Sequence, residues 1–281
     1  MSVINTNVSA MYSQNAMKTN ARAMSTAMQQ LSTGTRVNSA KDDAAGLAIG
    51  QNLTSQIRGL NMAVRNLNDG INMMQTAEGA MVEQSNMLQR MRELAVQAMN
   101  GTYSSVQRSY LNDEFDQLNQ QIQKISTDTK WNDQTLLDGG AADGTSGTFT
   151  FQAGADKDQT VKVTIGNMGT AFSGNGLDIS SSSISDASAA KAALEKISIA
   201  LEKINNERAN IGAGINRMEY AADNLTNVSS NATQSRSTIM DTDYALATTQ
   251  LAKTQIIQQA ATAMLAQANQ QPQQVMQLLK G

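Results

Sequence analysis

Side-chain chemistry in this 281-residue chain rests on carboxylates, amines, hydroxyls and amides, because it contains neither histidine nor cysteine. That removes His-based triads, the HExxH metal motif, thiolate nucleophiles, cysteine zinc sites, disulfides and the imidazole pH switch. Few of the remaining groups sit close enough to act together. Asp156 and Asp158 share the loop Gly154-Ala155-Asp156-Lys157-Asp158, but two carboxylates without the remaining calcium-loop pattern read better as solvated turn residues. Ser180 to Ser183 offer hydroxyls for O-linked sugar, although such runs are usually plain loops. Six Asn-x-Ser/Thr sequons begin at Asn7, Asn52, Asn100, Asn224, Asn227 and Asn231, mostly on helical stretches, where chance in an Asn- and Thr-rich chain accounts for them. Arg90 and Leu94 stand one helical turn apart, and the stripe Leu88, Met91, Ala95 sets Leu94 beside a core rather than in its centre. On the residues alone they are a bundle flank and a solvated charge. Nothing is arranged as a catalytic site, so the chain reads as no enzyme, with no cofactor and no metal.

The elements around these groups are unusual at the ends. Residues 1 to 40 hold only Lys18, Arg22 and Arg36 as charges, and residues 244 to 281 only Lys253 and Lys280. Met17, Ala21, Met24, Met28 and Leu31 step by 4, 3, 4 and 3, and Ile257, Ala261, Met264 and Ala268 by 4, 3 and 4, the spacing of a coiled-coil seam. The other faces are small or amide-bearing, without the Glu–Lys pairs that stabilise an isolated helix. These are weak helices alone and assembly elements together, with Met17, Met24, Met28, Leu31, Ile257 and Met264 as the packing residues.

Between them lies a mainly α architecture, a long coiled-coil rod formed by the N- and C-terminal halves with a small β-hairpin in the centre. Leu53, Ile57, Leu60, Val64, Leu67, Ile71 and Met74 alternate steps of 4 and 3, and the stripe resumes through Met81, Leu88, Met91 and Ala95. A helix from Ala44 to Met99 would be roughly 80 Å long at 1.5 Å per residue. Asn100-Gly101-Thr102 turns the chain into an antiparallel helix carrying Leu111, Phe115, Leu118, Ile122 and Ile125. From Leu137 to Ser183 the chain is rich in Gly, Ser, Thr and Asp, with strand-like alternation over Thr148 to Gln152 and Thr160 to Ile165. The return helix runs from Leu194 to Leu225, where Arg208 alone interrupts the apolar series and is placed to fix register. Asp241-Thr242-Asp243 caps a final helix that Pro272 should kink or end. The expected organisation is 1–42 with 240–281 as terminal helices, 43–136 with 184–239 as rod, and 137–183 as a short central region. The 17 methionines fall largely on the seams and read as core filling rather than a peptide-binding groove.

With five of the 21 basic residues at the ends, the interior holds 16 against 24 acidic ones, a net of −8. No basic face with interleaved aromatics emerges, so no nucleic acid is expected. No run approaches the roughly 18 apolar residues of a membrane helix, and the first fifteen residues lack the pattern of a signal peptide, so neither a membrane nor the general secretory route is expected.

Several runs resemble bacterial flagellin: Met1-Ser2-Val3-Ile4-Asn5-Thr6-Asn7, the stretch from Leu31-Ser32-Thr33-Gly34-Thr35-Arg36 through Lys41-Asp42-Asp43 to Ile49, Leu88-Gln89-Arg90-Met91-Arg92-Glu93-Leu94-Ala95-Val96-Gln97, and Asp241-Thr242-Asp243-Tyr244-Ala245. The resemblance covers both ends and most of the helical rod, with a centre shorter than in larger members. It implies a filament subunit for motility, extracellular, exported unfolded through the flagellar type III channel and turned by a rotary motor. It implies copies of itself, an export chaperone, the filament cap, a hook-filament junction protein and the innate receptor TLR5 as partners. It further implies that 1–42 and 240–281 form the inner tube, and that Arg90 and Leu94, with Glu114 on the next helix, form a patch used by the receptor and between subunits. Two alternatives stand beside it. One is a hook-filament junction protein, which shares helical ends but not so close an Arg90 to Gln97 run. The other is a monomeric coiled-coil binding module, whose end helices would be stable without a partner.

Overall fold

Each long helix begins where a short polar side chain can take up the unpaired amides of the first turn. Asn7 accepts from the Ala10 N–H at 3.0 Å at the start of α1 (Val8–Thr33). Asp43 accepts from the Gly46 N–H at 2.8 Å ahead of α2 (Ala44–Ala98). Ser104 and Gln107 form a reciprocal capping box for α3 (Ser105–Asp128). Asp186 precedes α4 (Ala187–Met240) and accepts from the Ser188 and Ala189 amides, while Asp243 does the same for Ala245 and Leu246 ahead of α5 (Tyr244–Lys280). Between α3 and α4 lie two antiparallel hairpins, β1 (Lys130–Trp131) with β2 (Gln134–Thr135) and β3 (Thr148–Gln152) with β4 (Thr160–Thr164). The computed structural model describes residues 6–139, 147–170 and 176–280, with side chains as far as residue 270. The helices and the β3–β4 hairpin agree with the periodicity of the sequence.

The chain divides into two compact units, Met1–Ile57 with Ser230–Gly281, and Arg58–Ser229. Local contacts tie the ends of α2 and α4 into the first unit. Gly50 of α2 allows Met240 of α4 to lie against its backbone, since a Cβ there would stand 2.5 Å from the Met240 sulfur. The Arg36 N–H also donates to the Met240 carbonyl at 2.6 Å, and the Arg36 guanidinium to the Ile239 carbonyl at 2.7 Å. The ends of both long helices therefore go with the terminal pair.

In the second unit a strict seven-residue repeat supplies the core. Leu67, Met74, Met81 and Leu88 of α2 face Ile197, Ile204, Ile211 and Met218 of α4, with Phe115 and Ile122 of α3 packed into the same cluster. Each such side chain contributes ~2 kcal/mol by leaving water. Arg208 of α4 pairs with Glu78 of α2 at 3.4 Å, which gives the interrupted seam a cross-helix partner.

The Gly/Ser-rich centre is part of this core rather than a cap on it. Leu137, Ile165, Met168, Leu177, Ile179 and Ile184 are all buried there. Polar side chains of α3 hold the segment by its backbone: Asn112 accepts from the Ile184 N–H, Asn119 donates to the Ile179 carbonyl, Gln123 accepts from the Thr170 N–H and Ser126 donates to the Leu137 carbonyl. Glycines of the long helices make room for the β3–β4 hairpin. A Cβ at Gly70 would meet Phe151 at 2.9 Å, and one at Gly214 would meet Val163 at 3.3 Å.

Three expectations change. Ser182 is buried and Ser183 half-buried with its hydroxyl donating to Asn112, so of that run only Ser180 and Ser181 are exposed. Pro272 does not end α5, which continues to Lys280. The β1–β2 hairpin was not anticipated, because two-residue strands carry no alternation; its turn residues Asn132 and Asp133, at φ 49° and 64°, take the paired left-handed conformation of a type I′ turn.

Candidate assembly and recognition surfaces

The first unit is built on α1 and α5 packed antiparallel. At one end the Thr242 N–H donates to the Gly34 carbonyl at 3.0 Å, and at the other the Asn7 amide donates to the Ala268 carbonyl at 2.8 Å. Gly34, at φ 71°, ends α1 in the left-handed conformation and donates its N–H to Gln30. Between these ends, the more buried positions of α1 are Ala10, Ser13, Met17, Asn20, Met24, Ala27 and Leu31, and those of α5 are Ala247, Leu251, Thr254, Gln258, Ala261, Leu265 and Ala268. Both series step by 3 and 4. The fully buried members are Ala10, Asn20, Ala27, Ala247, Thr254 and Ala268, while the larger Met, Leu and Gln members of both series are half-buried.

The expected packing residues are thus divided. Met17, Met24 and Leu31 lie half-buried on the α1–α5 seam, whereas Met28 is 55% exposed, Ile257 39% and Met264 64%. The period of the α5 series is right and its phase is shifted, because Leu251, Thr254, Gln258 and Leu265 face α1 in place of Ile257 and Met264. The signal for the true seam was the recurrence of Ala, Ser and Thr at heptad positions. Met11, Tyr12, Leu246 and Ile256 join the outward-facing set. Near them, no ion pair among the described residues involves Lys18, Arg22, Arg36 or Lys253. The pair thus presents an outer surface of large apolar groups and unneutralised cations, with no acidic residue in α1 or α5.

The second candidate surface lies where α2 and α3 run together. Arg90 donates through Nε to Glu114 Oε1 at 2.9 Å and through Nη1 to Glu93 Oε2 at 2.9 Å. About half of the Arg90 and Glu114 side-chain surfaces is exposed. The Glu114 hydrogen bond, then that of Glu93, raises the Arg90 pKa above its ordinary value, so the guanidinium stays charged throughout the usual pH range. Leu94 is different. It is fully buried in the cluster that includes Phe115, in the core rather than beside it. The apolar arc of α2 is wider than a two-helix seam because α3 and α4 both pack on it. Arg90 and Glu114 are brought together at the surface, Leu94 lies beneath, and Glu93 is the partner that the sequence reading left out.

Neither surface holds an acid–base pair aimed into a cleft. No group of three or more His, Cys, Asp or Glu residues able to hold a metal occurs among the described residues. No helix among them is long and apolar enough to cross a membrane. Asp156 and Asp158 sit exposed on the turn between β3 and β4. The sequons at Asn52, Asn224, Asn227 and Asn231 lie inside helices, and Asn7 caps one. The fold is that of a mainly helical protein with large apolar side chains exposed on its terminal pair.

Comparison with known proteins specifies the class. Residues 4–142 match the model of the bacterial flagellin N-terminal helical region, and residues 194–279 that of the C-terminal helical region. A flagellin of Halalkalibacterium halodurans is 41% identical over 278 residues, covering 99% of this chain and 100% of that one. A flagellin of Bacillus subtilis is 39% identical over 302 residues, covering 99% of each. Flagellin FlaB1 of Treponema pallidum is 37% identical over 285 residues, covering 99% of this chain and 100% of that one. The crystal structure of a Bacillus cereus flagellin matches with a TM-score of 0.50 at 29% identity, over 57% of this chain and 88% of that one. A Vibrio parahaemolyticus structure of the flagellar hook-associated class matches with a TM-score of 0.57 over 70% of this chain and 99% of that one, but at 15% identity, which speaks for fold alone. The chain belongs to the bacterial flagellin family, the structural subunits of the flagellar filament. Its length is that of the short members, without a large central insertion.

Proposed function

We propose that the α1–α5 pair is the inner-tube element of the extracellular filament, and that its outward residues Met28, Ile257 and Met264 are covered by neighbouring copies. The observation that carries this reading is a surface rich in large apolar side chains on a pair whose seam fully buries only small or polar residues. Water is a poor environment for such a surface, and a polymer of identical subunits supplies a better one. The second unit has its own deep core and does not need the ends to fold. The chain acts as a structural subunit and catalyses nothing. Removing residues 1–42 and 240–281 should leave a cooperative, largely helical monomer that forms no filaments in negative-stain microscopy. Filaments of normal length from that truncated chain would overturn the assignment.

Export as an unfolded chain fits the absence of disulfides and the single proline, since neither crosslinks nor slow isomerisation impede passage through a narrow channel. The apolar Leu251 to Leu279 segment is the part a dedicated chaperone would shield, and the cap and junction protein would meet the same terminal surface at the filament's two ends. Deleting that segment should abolish capture of the chaperone in a pull-down; undiminished capture would remove it as the binding site.

A distinct observation, the exposed Arg90–Glu114 ion pair, supports recognition by the innate receptor TLR5. In this reading Arg90 and Glu114 make contact, and Leu94 supports them from below. Arg90→Ala with Glu114→Ala should sharply reduce signalling by monomer in receptor-bearing cells while the melting temperature changes little. A parental dose response from that double variant would contradict the contact.

A further inference from the structure

The α1–α5 seam has a polar residue at its middle, where a coiled coil is usually apolar. Asn20 is buried, and its Nδ2 donates to the Thr254 carbonyl at 2.7 Å and to Gln258 Oε1 at 3.2 Å. The Thr254 hydroxyl is buried with it and donates to the Leu251 carbonyl of its own helix at 2.8 Å, so it does not compete for the Asn20 amide. Both amide hydrogens of Asn20 thus have acceptors on one turn of α5.

The surrounding seam is poor at setting register by shape. Ala10, Ala27, Ala247 and Ala268 are its most buried apolar members, and a methyl group fits the hole one heptad away nearly as well as its own. Sliding α1 along α5 by seven residues, about 10 Å at 1.5 Å per residue, keeps the 3-and-4 spacing of the two seams in phase. It removes Asn20 from Thr254 and Gln258, however, and leaves a buried amide to find other partners. A single buried asparagine at such a position favours one register, here because the Gln258 side-chain acceptor faces it in this alignment alone. The two ends of the pair carry their own ties, the Asn7 bond to the Ala268 carbonyl at one and the Thr242 N–H bond to the Gly34 carbonyl with the Arg36 N–H bond to the Met240 carbonyl at the other; between them Asn20 is the buried polar tie from α1.

We propose that Asn20 is the positioning residue that sets the register of α1 against α5, and through it the surface the terminal pair presents to the next copy. The role in assembly rests on the reading of this pair as the inner tube; the role in register does not. Moving one helix past the other would shift Met28 relative to Ile257 and Met264, so a slipped subunit would offer its neighbours a different apolar pattern. The identity of residue 20 then governs filament uniformity more than helix content.

The test uses the full chain. Because it has no cysteine, Ser25→Cys with Gln267→Cys carries two spin labels on exposed positions without background. Labelled chains are diluted into unlabelled parent, assembled, and the intrachain distance is read by pulsed electron resonance. The parent should give one narrow distance. Asn20→Leu, which suits an apolar seam, should give a second population displaced by roughly one heptad of rise, about 10 Å, with helix content by circular dichroism unchanged. Where Asn20→Leu fails to co-assemble, Asn20→Ala, matched in size to the seam, is measured the same way and should broaden the distribution. A single parental distance in every co-assembling variant, or in labelled monomer if neither co-assembles, overturns the proposal. A shifted distance with parental filament yield and shape would keep Asn20 as the register residue and reject its link to assembly, whereas the truncated chain tests the inner-tube reading separately.

Discussion

The α1–α5 seam and the α2–α4 seam follow the same heptad spacing and yield different objects. In the second unit the repeat is filled by Leu, Met and Ile, backed by Phe115 and the apolar residues of the central segment. In the first it is filled by Ala, Ser, Asn and Thr with a few half-buried large residues, while Ile256 and Met264 face outward. Periodicity sets which residues face a partner, but side-chain volume sets how much area leaves water. One seam therefore makes a deep core, and the other holds two helices together while leaving larger apolar groups exposed.

The sharpest contrast comes from placing a carboxylate in each region. Leu88→Asp should prevent the second unit from folding, because an unpaired charge in that core costs several kcal/mol. Ile257→Asp with Met264→Asp should leave the monomer's melting temperature within about 2 °C of the parent, since both sites are already exposed, and yet suppress filaments seen by electron microscopy. Loss of the monomer fold from the second pair would break the comparison.

Truncation gives an intermediate effect. Ile204→Ala and Leu94→Ala should each cost about 3 kcal/mol in denaturant unfolding, from lost burial and the cavity left behind. Leu94→Ala should then weaken receptor signalling only to the extent that it loosens the Arg90–Glu114 pair. A strong loss of signalling without a stability change would place Leu94 at the contact after all.

The Arg208–Glu78 pair should contribute less. Both side chains are about one-third exposed, so Arg208→Met should change stability by less than about 1 kcal/mol, with a smaller difference from the parent in high salt. A loss of several kcal/mol would show that the pair governs the α2–α4 register.

Acid should produce the smallest effect, and it touches both units. The Ser39 hydroxyl and amide hydrogen bonds hold the Asp42 pKa below the ordinary aspartate value of 3.8, and the Ser188 hydroxyl, with the Ala189 and Ser188 amides, does the same for Asp186. Because the folded values are depressed, these contributions are complete above the ordinary carboxylate range and are lost as pH falls through the folded values. Thermal melts should be flat in this respect above about pH 5 and decline below about pH 4. Asp186→Asn should reduce that acid slope, and an unchanged slope would mean the cap carries no linked proton.

Much of this was legible without coordinates. The helices, the β3–β4 hairpin, the Asp241–Asp243 cap and the charge-poor ends follow from spacing and composition because they are local: a cap needs one side chain and the next turn, and a heptad needs only its own stripe. The candidate surfaces were legible in part. Arg90 and Glu114 do meet, but Leu94 was misplaced because the width of an apolar arc depends on how many helices pack on it. Ile257 and Met264 were placed on the wrong face because the largest residues were taken to mark the seam. That rule holds where one face carries all the large residues and fails on α5, where Leu251 and Leu265 lie on the seam and Ile257 and Met264 off it.

The sequence by itself determined the periods, the breaks, the absence of imidazole and thiol chemistry and the confinement of acid to the interior, since each is a property of neighbours along the chain. Tertiary structure decided the phase of the terminal seam, the burial of Leu94, the inclusion of the Gly/Ser-rich segment in the core and the pairing of Asn20 with Thr254 and Gln258. Those depend on residues 24 to 238 positions apart being brought within contact. No local rule sets such pairings, because many alignments of two regular helices have similar energies until volume and hydrogen bonding select one.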